Sequence, residues 1–370
     1  MQVNENTNKG FRGWLKVIRS NIGITLFLVL ISELIFGNWI FGSDFGMMNI
    51  PRNMKKVIDT KQFQLDKDAV YTRDEFGLRG NYGGNPANID IVALGGSTTN
   101  ERFITDGETW VDVLGKTLHE FRFRKTVVNA GAEGQSSVGH IHNFDAWFPE
   151  IPGFRPKYFI AYIGINDIEV DDERNLLLTH AKYDIMEYTE LFRRVRQYML
   201  NHSAIYRLYK TVTGHIKARR AKITHRAVTI PNTNWNKAKI PTPRFDLKEK
   251  ELIKYLDNYE ERVGILIRRI RDWGAKAVVV NQVRADWRMR NGEVYGQGTN
   301  GANIGLYVSM TLFNRRAMKA CEEAKAICID LATKLEFQNG DFYDLVHTTP
   351  KGSAKIGAFI ARELAPYLRD

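Results

Sequence analysis

Short runs of apolar residues alternate with stretches of helical periodicity from residue 91 to the end of the chain. The runs predict five buried strands, at residues 91–94, 126–129, 158–163, 277–281 and 326–331. The periodic stretches predict a helix ending near Phe148 and further helices at 110–121, 249–273, 306–326 and 350–368. Fully apolar strands that alternate with helices are typical of a parallel sheet covered on both faces. The sequence therefore predicts an α/β domain over residues 91–370.

A single long apolar segment precedes this domain. Residues 22–41 would span about 30 Å as a helix, which is enough to cross a bilayer. Four basic residues and no acidic one lie between residues 9 and 19, so residues 1–21 are predicted to form a cytoplasmic basic tail. We interpret 22–41 as a transmembrane signal anchor. A cleaved signal peptide and a buried or interfacial helix are the alternatives. Glu33 within it is either paired in a helix contact or a contact point for a membrane partner.

Two stretches break the alternation of strands and helices. Residues 42–90 are rich in Gly, Asn and charged residues, so we expect a loop-like connecting segment. Residues 172–250 have helical character at first and a loop-like character later, and we interpret them as an insertion in the α/β domain. Whether this insertion covers a site as a lid is left open.

Composition and charge narrow the class of protein. Of the 370 residues 44% are apolar and 26% are charged, which excludes wholesale disorder and a polytopic membrane protein. The net charge is +11, and ten Lys or Arg with no acidic residue lie between Arg193 and Arg226. This basic patch is either a solvated face near lipid headgroups or a surface for an acidic glycan or lipid. We expect no nucleic-acid partner, since no reader motif is present.

The chain has only two cysteines, Cys321 and Cys328. If both lay on one helix they would be about 10 Å apart along its axis, too far for a disulfide. We therefore expect both to be buried as small apolar side chains. Two cysteines also fit no structural zinc site.

Candidate chemistry lies directly after the predicted strands. Ser97 follows the first strand on a Gly-Gly turn, the glycines Gly131 and Gly134 follow the second, and Asn166 follows the third. Asp344 and His347 stand three residues apart before the last helix. Taken singly, each has an ordinary explanation, such as a helix cap, an Asx turn or a surface histidine. Because the carboxyl ends of parallel strands meet at one edge, we expect these groups to lie together.

Together these residues would supply the parts of an acyl-transfer site. Ser97 is the candidate nucleophile, His347 the general base and Asp344 the acid that orients it. A backbone N–H group of the glycine turn, at Gly131 or Gly134, and the side chain of Asn166 are candidate oxyanion donors. Such chemistry requires neither a metal ion nor a cofactor.

The four motifs resemble those of the SGNH hydrolases, also called the GDSL esterase/lipase superfamily. The blocks that match are GGST at 95–98, NAGAEGQ at 129–135, GIND at 164–167 and DLVH at 344–347. The resemblance covers about residues 90–370. It implies that the backbone N–H groups of Ser97 and Gly134 donate to the oxyanion together with the side chain of Asn166. It implies a three-layer α/β/α fold with a mainly parallel, flavodoxin-like sheet. One position departs from the familiar pattern, because Gly96 stands where GDS has Asp.

The resemblance also implies a function. We expect an extracytoplasmic serine esterase or deacetylase that acts on ester-linked acyl groups of an envelope glycan or lipid. An O-acyltransferase with the same triad, and a non-catalytic membrane-anchored partner in an envelope assembly, are the alternatives. The predicted topology is single-pass in the inner membrane, with the catalytic domain periplasmic. A membrane-protein partner would bind through Glu33 or the basic patch.

Overall fold

The computed structural model describes residues 3–40, 50–168, 170, 235–298 and 300–369, with scattered positions between 195 and 216. The chain divides into two compact units. The first contains Met1–Asn49 and Glu187–Lys217, and the second contains Ile50–Met186 and Ala218–Asp370. All ten residues of the basic patch, and most of the insertion predicted at 172–250, lie outside the described residues.

Among the described residues of the first unit, the longest helix is α1 (Val3–Phe36). Its part from Val17 to Phe36 has a mean hydropathy of 1.7, and none of it is buried within the protein. The helix ends earlier than the predicted segment 22–41. Gly37 follows the last helical residue, and the chain then turns so that the Trp39 indole donates to the Glu33 carboxylate at 2.9 Å. The indole therefore folds back and does not extend the apolar helix.

The second unit contains ten strands and seven helices among its described residues. The strands are β1 (Met54–Ile58), β2 (Ala69–Arg73), β3 (Ile91–Gly95), β4 (Val127–Asn129), β5 (Tyr158–Tyr162), β6 (Asn236–Lys237), β7 (Lys276–Val280), β8 (Arg288–Arg290), β9 (Glu293–Gly296) and β10 (Ile327–Ile329). The helices are α2 (Ser97–Asn100), α3 (Trp110–Glu120), α4 (Ser137–Ala146), α5 (Thr242–Asp272), α6 (Tyr307–Glu323), α7 (Leu331–Lys334) and α8 (Pro350–Leu364).

Five of these strands form the central sheet in the order β10-β7-β5-β3-β4, and all neighbours are parallel. This is the flavodoxin-like order, in which the chain reverses direction across the sheet at β3. Helix α3 packs against α8, whereas α5 packs against α4 and α6, so two helical layers enclose the sheet. Every residue of β3 and β5 is buried, which explains why their sequences are apolar throughout. The predicted fold class is confirmed.

The connecting segment is more ordered than its sequence indicates. Strands β1 and β2 pair as an antiparallel hairpin, and the second compact unit begins at Ile50 rather than at residue 91. Arg79 pairs with Asn129 of β4 through its backbone and lies buried, as does Arg73. The prediction of a loop-like segment at 42–90 is therefore wrong over this hairpin.

The helix predicted at 249–273 begins earlier, at Thr242. Pro243 stands in its first turn, where a proline fits because the first helical N–H groups have no partner within the helix. Pro241 and Pro243, in the part of the insertion that was predicted to be loop-like, thus mark the start of a helix. The predicted boundary at residue 250 is correspondingly too late.

The prediction for the two cysteines is also wrong. Cys321 and Cys328 form a disulfide, with their Cα atoms 5.9 Å apart. Cys321 lies on α6 and Cys328 on β10, so the chain reverses between them instead of continuing as one helix. The spacing argument failed because it assumed that both residues share a helix.

Candidate active site

The structure brings Ser97, His347 and Asp344 into one hydrogen-bonded chain. His347 Nε2 lies 2.8 Å from Ser97 Oγ, and His347 Nδ1 lies 2.6 Å from Asp344 Oδ2. Each of the three residues is at least nine-tenths buried. This is the arrangement in which an imidazole can accept a proton from a hydroxyl while a carboxylate fixes its orientation.

Asp344 is held in place by its own turn. Its Oδ1 accepts the backbone N–H groups of Val346 at 2.8 Å and His347 at 2.7 Å. Burial alone would raise the pKa of Asp344, but the hydrogen bond and charge of His347 and the two backbone donors hold the pKa below its usual value. Asp344 is therefore ionised at neutral pH, as a carboxylate that orients the imidazole must be.

The turn that presents Ser97 explains why position 96 is a glycine and not the aspartate of the GDS pattern. Helix α2 begins at Ser97 directly after β3, with Gly96 as its N-cap residue. A Cβ atom built on Gly96 would lie 2.2 Å from Asn166 Nδ2 and 3.1 Å from the Gln135 carbonyl oxygen. The amide of Asn166 thus occupies the space that an aspartate side chain would enter.

Asn166 is placed by a second tight turn, after β5. Gly164 has φ of 133°, a conformation that favours glycine. The amide of Asn166 donates to the Gln135 carbonyl oxygen at 3.0 Å. The neighbouring Asp167 is buried and accepts hydrogen bonds from the backbone and hydroxyl of Ser137. These contacts fix the Asn166 side chain beside the nucleophile turn and the loop after β4.

The structure also shows that the two glycines of the loop after β4 have different surroundings. The N–H of Gly131 donates to Asn129 Oδ1 at 2.8 Å, so its hydrogen bond is used within the loop. Gly134 has φ of 67°, and no atom lies within 4 Å of a Cβ built on it. Gly134 therefore borders open space next to Gln135, which bonds to Asn166. Its predicted role as the oxyanion glycine is compatible with this position.

Sequence reasoning missed Glu101, which lies four residues after Ser97. Its backbone N–H donates to the Ser97 carbonyl oxygen at 2.8 Å, and its side chain accepts from the Trp110 N–H at 2.7 Å. The same carboxyl accepts from Thr348 at 2.9 Å and Ser353 at 2.5 Å. Glu101 thus joins the nucleophile turn to the residue after His347. Nothing in the sequence marked it, because the adjoining motif ends at Thr98.

Burial determines the titration of Glu101. Removal from water raises the pKa of this carboxyl to about 7, although the hydrogen bonds from Ser353, Trp110 and Thr348 and the charge of Arg79 oppose the rise. Glu101 therefore changes its charge close to neutral pH, beside the proposed catalytic residues.

Gln282 and Arg73 also support the site and were not predicted. The amide nitrogen of Gln282 donates to Thr98 Oγ1 at 2.8 Å, and its oxygen accepts from the Ile165 N–H at 2.7 Å. Arg73 donates to the side chain of Asn100 and the carbonyl oxygen of Gly131. Gln282 lies two residues after the end of β7, so the rule that polar residues gather at strand ends could have found it. Arg73 lies in the segment interpreted as a loop.

Among the described residues, no group of three or more His, Cys, Asp and Glu side chains is arranged to hold a metal ion.

The fold and the site together define a class of protein. A doubly wound parallel sheet carries, at the carboxyl ends of its strands, a serine hydroxyl within hydrogen-bonding distance of an imidazole that contacts a carboxylate. These features are typical of α/β serine hydrolases. The sheet reversal at β3 lies beside the Ser97 turn, where sites form in such folds.

The family is shown by its sequence model. The model of the GDSL-like lipase/acylhydrolase family matches residues 91–360, and the chain belongs to that family. It is an ester-hydrolysing serine hydrolase, as its sequence motifs predicted. A comparison with curated proteins finds no match.

Several solved structures are similar to this chain at low identity. A protein of the G-D-S-L family from Desulfitobacterium hafniense is 13% identical, over 74% of this chain and 99% of its own, with a TM-score of 0.41. An alpha/beta hydrolase enzyme from the metagenome of Lake Arreo is 12% identical, over 75% and 95%, with a TM-score of 0.40. An acetylxylan esterase from Geobacillus stearothermophilus is 12% identical, over 75% and 94%, with a TM-score of 0.41.

Proposed function

We propose that the protein is an extracytoplasmic serine esterase that removes ester-linked acyl groups, acetyl groups first among them, from an envelope glycan or lipid. The observation that carries the proposal is the chain of two hydrogen bonds from Ser97 through His347 to Asp344. A serine hydroxyl is a weak nucleophile at neutral pH, and a hydrogen-bonded base is what activates it.

The proposed reaction has two half-reactions. His347 accepts the proton of Ser97 as Oγ attacks the ester carbonyl, and the charge of Asp344 stabilises the imidazolium that forms. The tetrahedral intermediate collapses to an acyl-serine, and His347 returns the proton to the departing alcohol. Water then attacks the acyl-serine, with His347 again accepting the proton. The second tetrahedral intermediate then collapses, and His347 returns the proton to Ser97 Oγ as the carboxylic acid leaves. The products of the whole cycle are the alcohol, the carboxylic acid and regenerated Ser97.

Negative charge develops on the carbonyl oxygen of the ester, and later of the acyl-serine, as each is attacked. We assign its stabilisation to the backbone N–H groups of Ser97 and Gly134 and to the side-chain amide of Asn166. The contact of Asn166 with Gly96 and Gln135 supports this assignment, because it holds the amide beside the nucleophile turn. One preorganised donor of this kind contributes about 3 kcal/mol to transition-state stabilisation.

Two observations support a position outside the cytoplasm. The exposed apolar helix from Val17 to Phe36 is long enough to cross a membrane, and basic residues precede it. The disulfide between Cys321 and Cys328 favours an oxidising compartment. We therefore propose a single-pass inner-membrane protein whose N-terminus is cytoplasmic and whose second compact unit, the hydrolase unit, is periplasmic.

The substrate can be tested with the full chain in detergent. We expect faster hydrolysis of p-nitrophenyl acetate than of the butyrate and octanoate esters, and release of acetate from an acetylated polysaccharide. The Ser97→Ala variant is the matched control. Equal or faster hydrolysis of octanoate would contradict the assignment to acetyl groups. Acetyl transfer to an added glycan, with little free acetate, would show an acyltransferase instead.

A further inference from the structure

Glu33 is the one acidic residue in the apolar part of α1, and its carboxylate is bound within the chain. Its oxygens accept the Ser203 hydroxyl at 2.6 Å, the Ala204 N–H at 2.9 Å and the Ile205 N–H at 3.1 Å. They also accept the Trp39 indole N–H. All of these residues belong to the first compact unit. The carboxylate thus joins the end of α1 to the segment that begins at Ser203.

The Glu33 contacts fix the start of a second helix. The described positions 204–206, 208–209, 212–213 and 216 are helical, and Ser203 before them accepts the Tyr206 N–H at 3.0 Å. The first N–H groups of a helix have no partner within the helix, and a carboxylate there is favourable. Glu33 supplies that carboxylate from α1. We refer to the described helical positions from 204 to 216 as the second helix.

The second helix carries a stripe of exposed apolar side chains. Ile205, Leu208, Tyr209, Val212 and Ile216 follow the pattern i, i+3, i+4, i+7 and i+11, which places them on one face of a helix. Their exposed fractions lie between 41% and 64%. We refer to these five residues as the apolar stripe. A continuous exposed stripe on a helix indicates contact with another apolar surface.

The charge of this segment favours a membrane surface over a soluble partner. Between His202 and Lys217 the sequence contains Arg207, Lys210 and Lys217 and no acidic residue. Apolar residues at helical spacing with basic residues between them are typical of helices that lie in the headgroup region of anionic membranes.

The aromatic rings next to Glu33 indicate how deep in the membrane the end of α1 meets the start of the second helix. Trp39 lies 6.0 Å from Tyr198 and 5.6 Å from His202 between ring centroids, and Tyr198 stacks on His202 at 4.1 Å. Amphipathic rings of this kind are enriched where a membrane meets water. The cluster stands just past Phe36, where α1 ends, so the second helix begins at the level of the headgroups if α1 crosses the bilayer.

We infer that the second helix lies in the surface of the same membrane that α1 crosses, with its apolar stripe among the acyl chains and anionic phospholipid as its partner. The Glu33 carboxylate fixes the start of this surface helix at the end of the anchor. The inference rests on the membrane anchor of the proposed function, and it does not depend on the esterase reaction.

Depth-dependent quenching in liposomes tests this inference. The full chain carries no other reactive thiol when its disulfide is intact, so a single cysteine can be labelled with the fluorophore NBD. The labelled positions are Leu208→Cys in the stripe, Leu28→Cys in α1, and Glu120→Cys at the exposed end of α3 as a water-facing control. Val212→Cys repeats the stripe measurement in case one label disturbs the helix.

In phosphatidylglycerol liposomes we expect the label at position 208 to emit at shorter wavelength than the label at 120. A nitroxide near the lipid carbonyl should remove about half of the emission of label 208, as an interfacial depth requires. A nitroxide deep in the acyl chain should remove less. Label 28 should show the reverse order of the two quenchers. In phosphatidylcholine alone the quenching of label 208 should fall.

The possible outcomes separate the inference from what it rests on. If label 28 is quenched while labels 208 and 212 behave like label 120, the surface helix is wrong and the anchor stands. If label 28 is not quenched either, the anchor and the surface helix are both wrong. Strong quenching of label 208 by the deep nitroxide would instead show a membrane-spanning packing partner. Hydrolysis of p-nitrophenyl acetate by the same liposomes reports on the esterase separately.

Discussion

At the residue scale, each proposed catalytic side chain is positioned by neighbours that do not take part in the reaction. Asp344 is held by backbone N–H groups of its own turn, and Asn166 by the Gln135 carbonyl oxygen. Glu101 joins the Ser97 turn to Thr348. Preorganised groups of this kind lower a barrier because they need no rearrangement during the reaction.

Gly96 provides a direct test of the oxyanion assignment. The Gly96→Asp variant restores the GDS pattern, but its Cβ would lie 2.2 Å from Asn166 Nδ2. We expect the variant to displace the amide and to lower kcat by about 10²-fold, the usual effect of losing one oxyanion donor. KM should change little. The measurement is steady-state hydrolysis of p-nitrophenyl acetate.

The Asn166→Ala variant and the double variant complete a thermodynamic cycle with Gly96→Asp. Because both substitutions remove the same donor, their effects on kcat should not add. Additive losses, or an increase in kcat on restoring the aspartate, would contradict the account of Gly96.

The raised pKa of the Glu101 carboxyl implies that the free energy of unfolding depends on pH. Its pKa is raised to about 7 by burial, while the unfolded chain has the ordinary value of 4.5. Between these values the folded protein holds a proton that the unfolded chain releases, so the contribution of Glu101 falls as pH rises from about 5 to 7. The loss is about 2 kcal/mol over this interval.

The Glu101→Gln variant cannot titrate and should not show this loss. We expect its Tm to rise relative to that of the wild type as pH is increased from 5 to 7, in thermal unfolding of the full chain. Glu120→Gln, at an exposed position on α3, is the control and should follow the wild type. If the Tm difference between Glu101→Gln and the wild type is the same at every pH, the raised pKa of Glu101 is wrong.

The candidate site was predictable to different degrees. Asp344 and His347 are close in sequence and precede a helix with a clear proline start, so their pairing was visible. Ser97 and Asn166 were predicted because polar residues follow apolar strands, and Gly134 was predicted from the resemblance of its motif to that of the SGNH hydrolases. Glu101 was not, because its role arises from contacts with residues on α3 and α8 that are distant in the chain. Such contacts have no local sequence signal.

At the element scale, the five buried strands were predicted within about two residues of their observed bounds. Their signal is strong because both faces of a parallel sheet are covered. The hairpin of β1 and β2 was missed, since β1 is half-exposed and its neighbours are rich in glycine and charge. The burial of Arg73 at the end of β2, and its hydrogen bonds to Asn100 and Gly131, show that this hairpin is part of the hydrolase unit.

Because a disulfide links the end of α6 to β10, we expect reduction to lower the stability of the protein. Closing a short loop between Cys321 and Cys328 restricts the unfolded chain and contributes about 2 kcal/mol. A reductant should therefore lower the Tm of the hydrolase unit by several degrees in thermal unfolding of the full chain.

The Cys321→Ser/Cys328→Ser double variant should start at the lower Tm and be insensitive to reductant. Two reactive thiols in the unreduced, denatured wild type would show that the disulfide does not form. In that case the support it gives to an oxidising compartment would also be lost.

At the scale of the whole molecule, the chain combines a unit built on one exposed apolar helix with a hydrolase unit that has its own core. The sequence predicted both from their different patterns, one long apolar run and one alternation of strands and helices. The basic patch accounts for most of the net charge, and its partner stays a prediction, as does a membrane-protein partner. The inferred surface helix would place the part of the basic patch between residues 204 and 216 at the surface of an anionic membrane.

The central claim is that His347 activates Ser97, and active-site labelling tests it most directly. The full chain is treated with a fluorophosphonate probe, which reacts with activated serines, and the labelled residue is identified by peptide mapping. We predict labelling of the wild type at Ser97, none in Ser97→Ala, and labelling slowed on the order of 10³-fold in His347→Ala. His119→Ala, at an exposed histidine, should label like the wild type. A folded wild-type protein that does not react, or one that reacts equally without His347, would contradict the claim.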